Sequence, residues 1–204
     1  MIDLFTAGTG NGRRAAVMLE ECGLPYKAHK IDLAKGEQKQ PAFLALNPLG
    51  TIPVIVDADG SGDQKLVLSQ SAAILLYLAE KTGKFLSRDP AKRALTHQWL
   101  MHVMSDQQAI SGALFPIASL RDQPVSAITY LEDRLRENFR LVDRRLGEAE
   151  HLAGELSIAD FALYPLIDRR RETVAKAGSL NNLRRWMAAM AARPGVARGM
   201  QVPG

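Results

Sequence analysis

Residues 51–71 read TIPVIVDADGSGDQKLVLSQS, and the interpretation of this stretch decides the fold. Two apolar runs, TIPVIVD and KLVLSQS, are short and rich in branched aliphatic residues, as buried strands are. Between them lies DADGSGDQ. Its Asp59-Gly60 and Gly62-Asp63 steps are turn chemistry, because glycine accepts positive φ without steric cost and aspartate bonds its own neighbouring backbone. The two runs therefore form a hairpin and run antiparallel. Pro53 opens the first run. A proline cannot donate to a sheet ladder, so it suits a strand start or an edge.

Upstream, Ile2–Thr6 (IDLFT) reads as a buried strand. Residues 12–22 carry Ala15, Val17, Met18 and Leu19 at helical spacing, with Gly23 as a stop and Pro25 beyond it. YKAHKID, residues 26–32, alternates as a second strand. Strand–helix–strand crossovers are right-handed and parallel. KGEQKQPAFLALNPLG is irregular, with a helical turn expected over 41–46. Downstream of the hairpin, residues 71–81 are predicted helical. The order βαβ followed by ββα is the thioredoxin arrangement, whereas a Rossmann unit would continue with parallel strands. After the turn-rich TGKFLSRDP every periodic segment is helical: 94–110, 125–146, 157–175 and 180–192. The expected organisation is a thioredoxin-like α/β domain over 1–82, a linker over 83–91 and an all-α domain over 92–204.

The 204 residues carry 26 Lys and Arg against 22 Asp and Glu, a net charge of +4. That suits a small anionic ligand and lacks the density of a nucleic-acid face, so no nucleic-acid partner is expected. Cys22 is the single cysteine, which excludes an internal disulfide, a CxxC pair and a thiolate zinc cage. His29, His97, His102 and His151 are scattered, so no metal is expected. No apolar run spans a bilayer, and no basic leader precedes MIDLF. The expected location is the cytoplasm, without a membrane partner.

Between the first strand and helix stands Thr9-Gly10-Asn11-Gly12-Arg13-Arg14. A dinucleotide loop needs G-x-G-x-x-G. Here Gly8, Gly10 and Gly12 give G-x-G-x-G, and the hairpin argues against that fold even though Asp32 sits where a ribose-binding acid would. A phosphate loop would need a following Gly-Lys-Ser/Thr, which is missing. Thr9 and Asn11 flank a helix N-terminus, where bare N–H groups and the dipole favour an anion, and they are equally ordinary capping residues. Ser69-Gln70-Ser71, at a strand-to-helix junction, has the same two readings: a carboxylate holder or a cap. In the helical half, Leu156-Ser157-Ile158-Ala159-Asp160-Phe161 is a capping box with a hydrophobic staple, which is a folding signal. Cys22 and the Met and Trp residues are read as core. The run Asp168-Arg169-Arg170-Arg171-Glu172 is read as a solvated helix face.

Taken together, T-x-N, T-I-P-V and Q-S in a thioredoxin-like half, then S-I-A-D in a helical half, resemble a cytosolic glutathione transferase. MIDLF…TGNGRR and KGEQKQPAFLALNP are most similar to the bacterial nu class, which includes glutathione-dependent disulfide-bond reductases. The resemblance implies a glutathione-dependent enzyme that holds the glutathione thiolate for attack on an electrophile or a disulfide. It implies that the Thr9 hydroxyl and Asn11 amide face the sulfur, and that Gln38 meets the glycine end. It implies that Ile52, before a cis Pro53, pairs its backbone with the cysteinyl unit, and that Gln70 and Ser71 hold the γ-glutamyl group. Glutathione enters as cosubstrate without a metal, and a homodimer is usual. The alternative is a non-catalytic binding module of the same fold, which would have no reason to keep all six of Thr9, Asn11, Gln38, Pro53, Gln70 and Ser71. One departure is visible: nu-class reductases carry an arginine for a second glutathione where this chain has Tyr130, with Arg134 one turn on.

Overall fold

The computed structural model describes residues 1–60, 64–122 and 124–204. The chain divides into two compact units, Met1–Lys84 together with Ala191–Gly204, and Phe85–Met190.

The first unit runs β1 (Ile2–Thr6), α1 (Gly10–Cys22), β2 (Tyr26–Lys30), a 3-10 turn (Glu37–Lys39), α2 (Pro41–Leu44), β3 (Val54–Asp57), β4 (Leu66–Ser69) and α3 (Ser71–Thr82). Its four-stranded sheet has the order β2-β1-β3-β4. β1 is parallel to β2 and antiparallel to β3, and β3 is antiparallel to β4. This is the thioredoxin-like arrangement expected from the hairpin. The Gly62-Asp63 half of the turn signal lies outside the described residues. α1 is buried almost all round, from Gly12 to Cys22, because it packs against β1, α3 and a short C-terminal helix, α10 (Pro194–Gly199). Gly199 permits that approach: a Cβ there would stand 2.4 Å from the Val17 Cα. Arg193 and Arg198 of the tail pair with Glu21 and Glu20 of α1. The tail, read from sequence as part of the helical domain, thus has these contacts in the first unit. Its helix is one and a half turns long, too short to show a period.

The second unit is helical among its described residues: α4 (Pro90–Met101), α5 (Ala109–Ala118), α6 (Val125–Glu148), α7 (Ile158–Arg169), α8 (Arg171–Ala175) and α9 (Asn181–Ala191). α4 starts inside the expected linker, with Asp89 capping the Lys92 N–H at 2.9 Å and Pro90 at its first position, where a missing N–H costs nothing. It continues through a π-helical segment, His102–Gln108, into α5. Asp160 anchors α7. It accepts from the Ser157 N–H (3.0 Å) as the capping box requires, and also from the Leu152 N–H and Trp186 Nε1. The charge run is only partly solvated: Arg170 donates to the Ser111 hydroxyl at 2.9 Å and the Ser111 carbonyl at 2.7 Å. A half-buried guanidinium with two acceptors corrects the reading of that run as a bare solvated face. No helix is long and apolar enough to cross a membrane among the described residues.

Candidate active site

Topology gathers the predicted residues at one edge of the sheet. Thr6 pairs with Lys30, so β1 and β2 end together. Phe5 pairs with Val54, and Val54 with Ser69, so β3 begins and β4 ends on that same edge. The segments leaving this edge carry Thr9 and Asn11 after β1, Gln38 after β2, Ile52 and Pro53 before β3, and Gln70 and Ser71 after β4. Strands lie about 4.8 Å apart, so β1 to β4 spans roughly 10 Å of edge.

The turn into α1 is shaped by Gly12. A Cβ there would sit 2.2 Å from the Ala7 carbonyl oxygen and 2.4 Å from the Thr6 hydroxyl. Only glycine fits so close to the end of β1. Thr9 is the N-cap, and its Oγ1 accepts the Gly12 N–H at 3.1 Å. That bond uses an oxygen lone pair and leaves the hydroxyl able to donate its own hydrogen. Asn11 Oδ1 accepts a short hydrogen bond from Arg14 Nη1. Arg14 is fully buried, and burial pushes its guanidinium down to about 9.

The remaining loops are held by their own hydrogen bonds. Asp32 accepts the Ala34 and Lys35 N–H groups, and its own N–H donates to Glu37. The Lys35 N–H holds the Asp32 carboxyl below its usual value. The acid that mimics a ribose ligand therefore closes the loop leading to the 3-10 turn. On that turn Gln38 is half-buried, with Oε1 enclosed and without a hydrogen-bond partner among the described residues. Asn47 braces the next loop, donating to the Thr51 carbonyl at 2.7 Å and accepting from the Leu49 N–H. The Ile52–Pro53 peptide bond is cis. Gln70 precedes α3 at φ 71°, a conformation a non-glycine residue adopts only at a cost. It makes no side-chain cap. Ser71 is buried at the first helical position.

Two helix N-termini, two hydroxyls, three amides and a backbone edge thus stand along one side of the sheet. Such a row can hold an extended anion with a carboxylate at one end and a sulfur at the other. Sequence reasoning missed Arg14, which stands beside Arg13 in the chain and is fully buried in the fold. A cavity of about 200 Å³ lies elsewhere, in the second unit, lined by residues that include Phe85, Thr96, Glu155 and Ser157. Among the described residues no cluster of three or more His, Cys, Asp or Glu is placed to hold a metal ion.

Comparison with known proteins gives the family. Residues 11–81 match the glutathione S-transferase N-terminal domain and residues 94–194 the glutathione S-transferase C-terminal domain. The chain is 36% identical to the disulfide-bond oxidoreductase YfcG of Escherichia coli, over 98% of this chain and 94% of that protein. A glutathione transferase family member from Pseudomonas fluorescens, solved with two glutathione bound, superposes with a TM-score of 0.93 at 34% identity, covering 99% of this chain and 93% of that one. A glutathione transferase from Pseudomonas putida, solved with one glutathione disulfide per subunit, gives a TM-score of 0.91 at 34% identity, covering 100% and 92%. The chain belongs to the glutathione S-transferase family.

Proposed function

We propose that this protein is a glutathione-dependent enzyme that binds glutathione along the sheet edge and holds its sulfur as thiolate for attack on an electrophile or a disulfide. The observation that supports the reading is that the segments carrying all seven predicted residues leave the sheet on one side, with the part from β1 to β4 roughly as long as an extended tripeptide, about 10 Å. In this reading Thr9 and Asn11 donate to the sulfur, and the backbone of Ile52 pairs with the cysteinyl unit. Gln38 receives the glycine end, where its enclosed Oε1, without a partner among the described residues, would accept the glycyl N–H. Ser71 and Gln70 take the γ-glutamyl carboxylate and amine. The absence of a side-chain cap on α3 supports that assignment, since the ligand itself would serve as the cap.

A free thiol with a pKa of about 8.5 is mostly protonated at neutral pH, and the thiolate is the nucleophile. Lowering that value by two units takes roughly 2.7 kcal/mol. A hydrogen bond to a charged acceptor supplies about 1.5–3 kcal/mol, and a helix N-terminus about 0.3–1 kcal/mol. Thr9 and the first turn of α1 are therefore sufficient without a separate base. Attack on a disulfide forms one S–S bond, breaks another, and releases the second sulfur as a thiolate. Attack on an electrophile forms a C–S bond with loss of a leaving group. The names of the relatives support the disulfide branch.

Nu-class membership, a homodimer and a cytoplasmic location belong to the same reading. The exposed Met101, Phe115 and Val125 offer apolar surface to a second copy, and sedimentation tests this. Calorimetric titration with glutathione tests the core of the reading. Saturable binding is expected, and no binding at millimolar glutathione would sink it in favour of an adaptor. The stoichiometry also tells whether one or two glutathiones bind per chain, with Tyr130 where nu-class reductases carry an arginine and Arg134 one turn on. Turnover of an aromatic halide against a glutathione mixed disulfide then separates the two reactions.

A further inference from the structure

We infer that Arg14 is a positioning residue for the sulfur: it fixes the side-chain amide of Asn11 with its N–H face outward and polarises it with a buried positive charge. The inference rests on the assignment of Asn11 to the glutathione sulfur made above.

A side-chain amide has two faces. One face donates two N–H bonds and the other accepts through oxygen. Only the donor face can hold a thiolate, and the acceptor face repels it. An Asn at the second position of a helix has no intrinsic reason to choose between them. Arg14 stands three residues later, on the same side of α1. Its guanidinium carries donors only, so its bond from Nη1 goes to Asn11 Oδ1 and leaves Nδ2 as the outward group. The bond is charge-assisted, hence stronger than a neutral one. The Arg14 side chain is 0% exposed, so water does not screen its charge as it screens a surface arginine. An amide whose oxygen is bonded to a cation becomes a better donor at its nitrogen, the polarisation expected of hydrogen bonds in series. Guanidinium, amide and sulfur then form one chain. The arrangement is also specific to arginine, since lysine lacks the planar fork.

Arg14 has other contacts in the fold, so a double-variant cycle is needed to separate positioning from scaffolding. The thiolate absorbance of bound glutathione is titrated against pH in wild type, Arg14→Met, Arg14→Lys, Asn11→Ala and the Asn11→Ala/Arg14→Met double variant, with a thermal melt for each. In Arg14→Met the bound thiol is expected to titrate about one pH unit higher, a tenfold loss of thiolate below its pKa. Arg14→Lys is expected to fall between that variant and wild type. In the Asn11→Ala background Arg14→Met should have no further effect. A folded Met or Lys variant whose bound thiol titrates as in wild type overturns the proposal. So does a Met effect that is as large with Asn11 absent as with it present. A wild-type protein that binds no glutathione, or an Asn11→Ala variant with an unchanged titration, refutes the underlying assignment instead.

Discussion

Substituting Gly12 by alanine should damage both the fold and the site, and the size of the effect can be worked from the turn it occupies. A Cβ at residue 12 would lie 2.2 Å from the Ala7 carbonyl oxygen, 2.4 Å from the Thr6 hydroxyl and 3.2 Å from the Ala7 nitrogen. The nearest obstacle is backbone and the second belongs to a buried residue at the end of β1, so neither swings aside. The first turn of α1 must retreat by about 1 Å to restore ordinary contact distances. That movement breaks the 3.1 Å bond from Gly12 N–H to Thr9. Overpacking costs about 1–3 kcal/mol and a lost N-cap about 1 kcal/mol, which gives roughly 2–4 kcal/mol. For a chain of this size each kcal/mol lowers Tm by about 2–4 °C, so a drop of roughly 4–16 °C is expected by circular dichroism. A 1 Å displacement of Thr9 and Asn11 should also weaken turnover, by up to about a hundredfold. Gly8→Ala is the matched control. No atom lies within 4 Å of a Cβ there, so its stability should stay within about 0.5 kcal/mol of wild type. The reasoning is refuted if Gly12→Ala melts and turns over like wild type, or if Gly8→Ala loses as much.

Other perturbations follow from buried groups. Burial alone would push the Asp57 carboxyl up, but hydrogen bonds from Lys81, Tyr77 and the Asp59 N–H outweigh it and hold the group below its usual 3.8. A carboxyl depressed in the fold contributes stability above its unfolded pKa, and that contribution is lost as pH falls through the folded one. Asp57→Asn should therefore flatten the fall in Tm below about pH 4. Burial pushes the Cys22 thiol up, so an aromatic disulfide reagent should label it slowly in the native protein and fast in denaturant. Rapid native labelling would contradict its place between α1 and the end of α3. Asp160→Asn replaces an acceptor shared by Leu152, Ser157 and Trp186 with a group that brings an N–H to the same donors. It should cost about 2–4 kcal/mol, measured by urea unfolding.

What could be read from the chain was whatever depends on neighbours in sequence. Asp59-Gly60 marked the hairpin. The three-and-four spacing from Val125 to Leu146 marked α6, which spans Val125–Glu148. Thr9 was left with two readings, cap or ligand holder, and the structure shows the first without opposing the second: the oxygen caps while the hydrogen remains for a ligand. At Ser69-Gln70-Ser71 the cap reading is not supported, since no side chain caps α3. The features that escaped are those that a distant element decides. Arg14 beside Arg13 looks like surface charge, yet it is fully buried in the fold. Arg170 looks solvated until Ser111 approaches from α5. The π-helical segment at His102–Gln108 keeps an apolar pattern close to that of an α-helix, so periodicity alone reads through it.

In the proposed function Thr9 holds a sulfur as thiolate. The direct measurement is the pH titration of glutathione thiolate absorbance bound to wild type, Thr9→Ser and Thr9→Ala, with melts to confirm that all three are folded. The bound thiol should titrate well below its solution value in wild type and Thr9→Ser. In Thr9→Ala it should rise by about one to two units, the equivalent of one hydrogen bond to a charged sulfur. A folded Thr9→Ala protein whose bound thiol titrates as in wild type would reduce Thr9 to a helix cap and contradict the account.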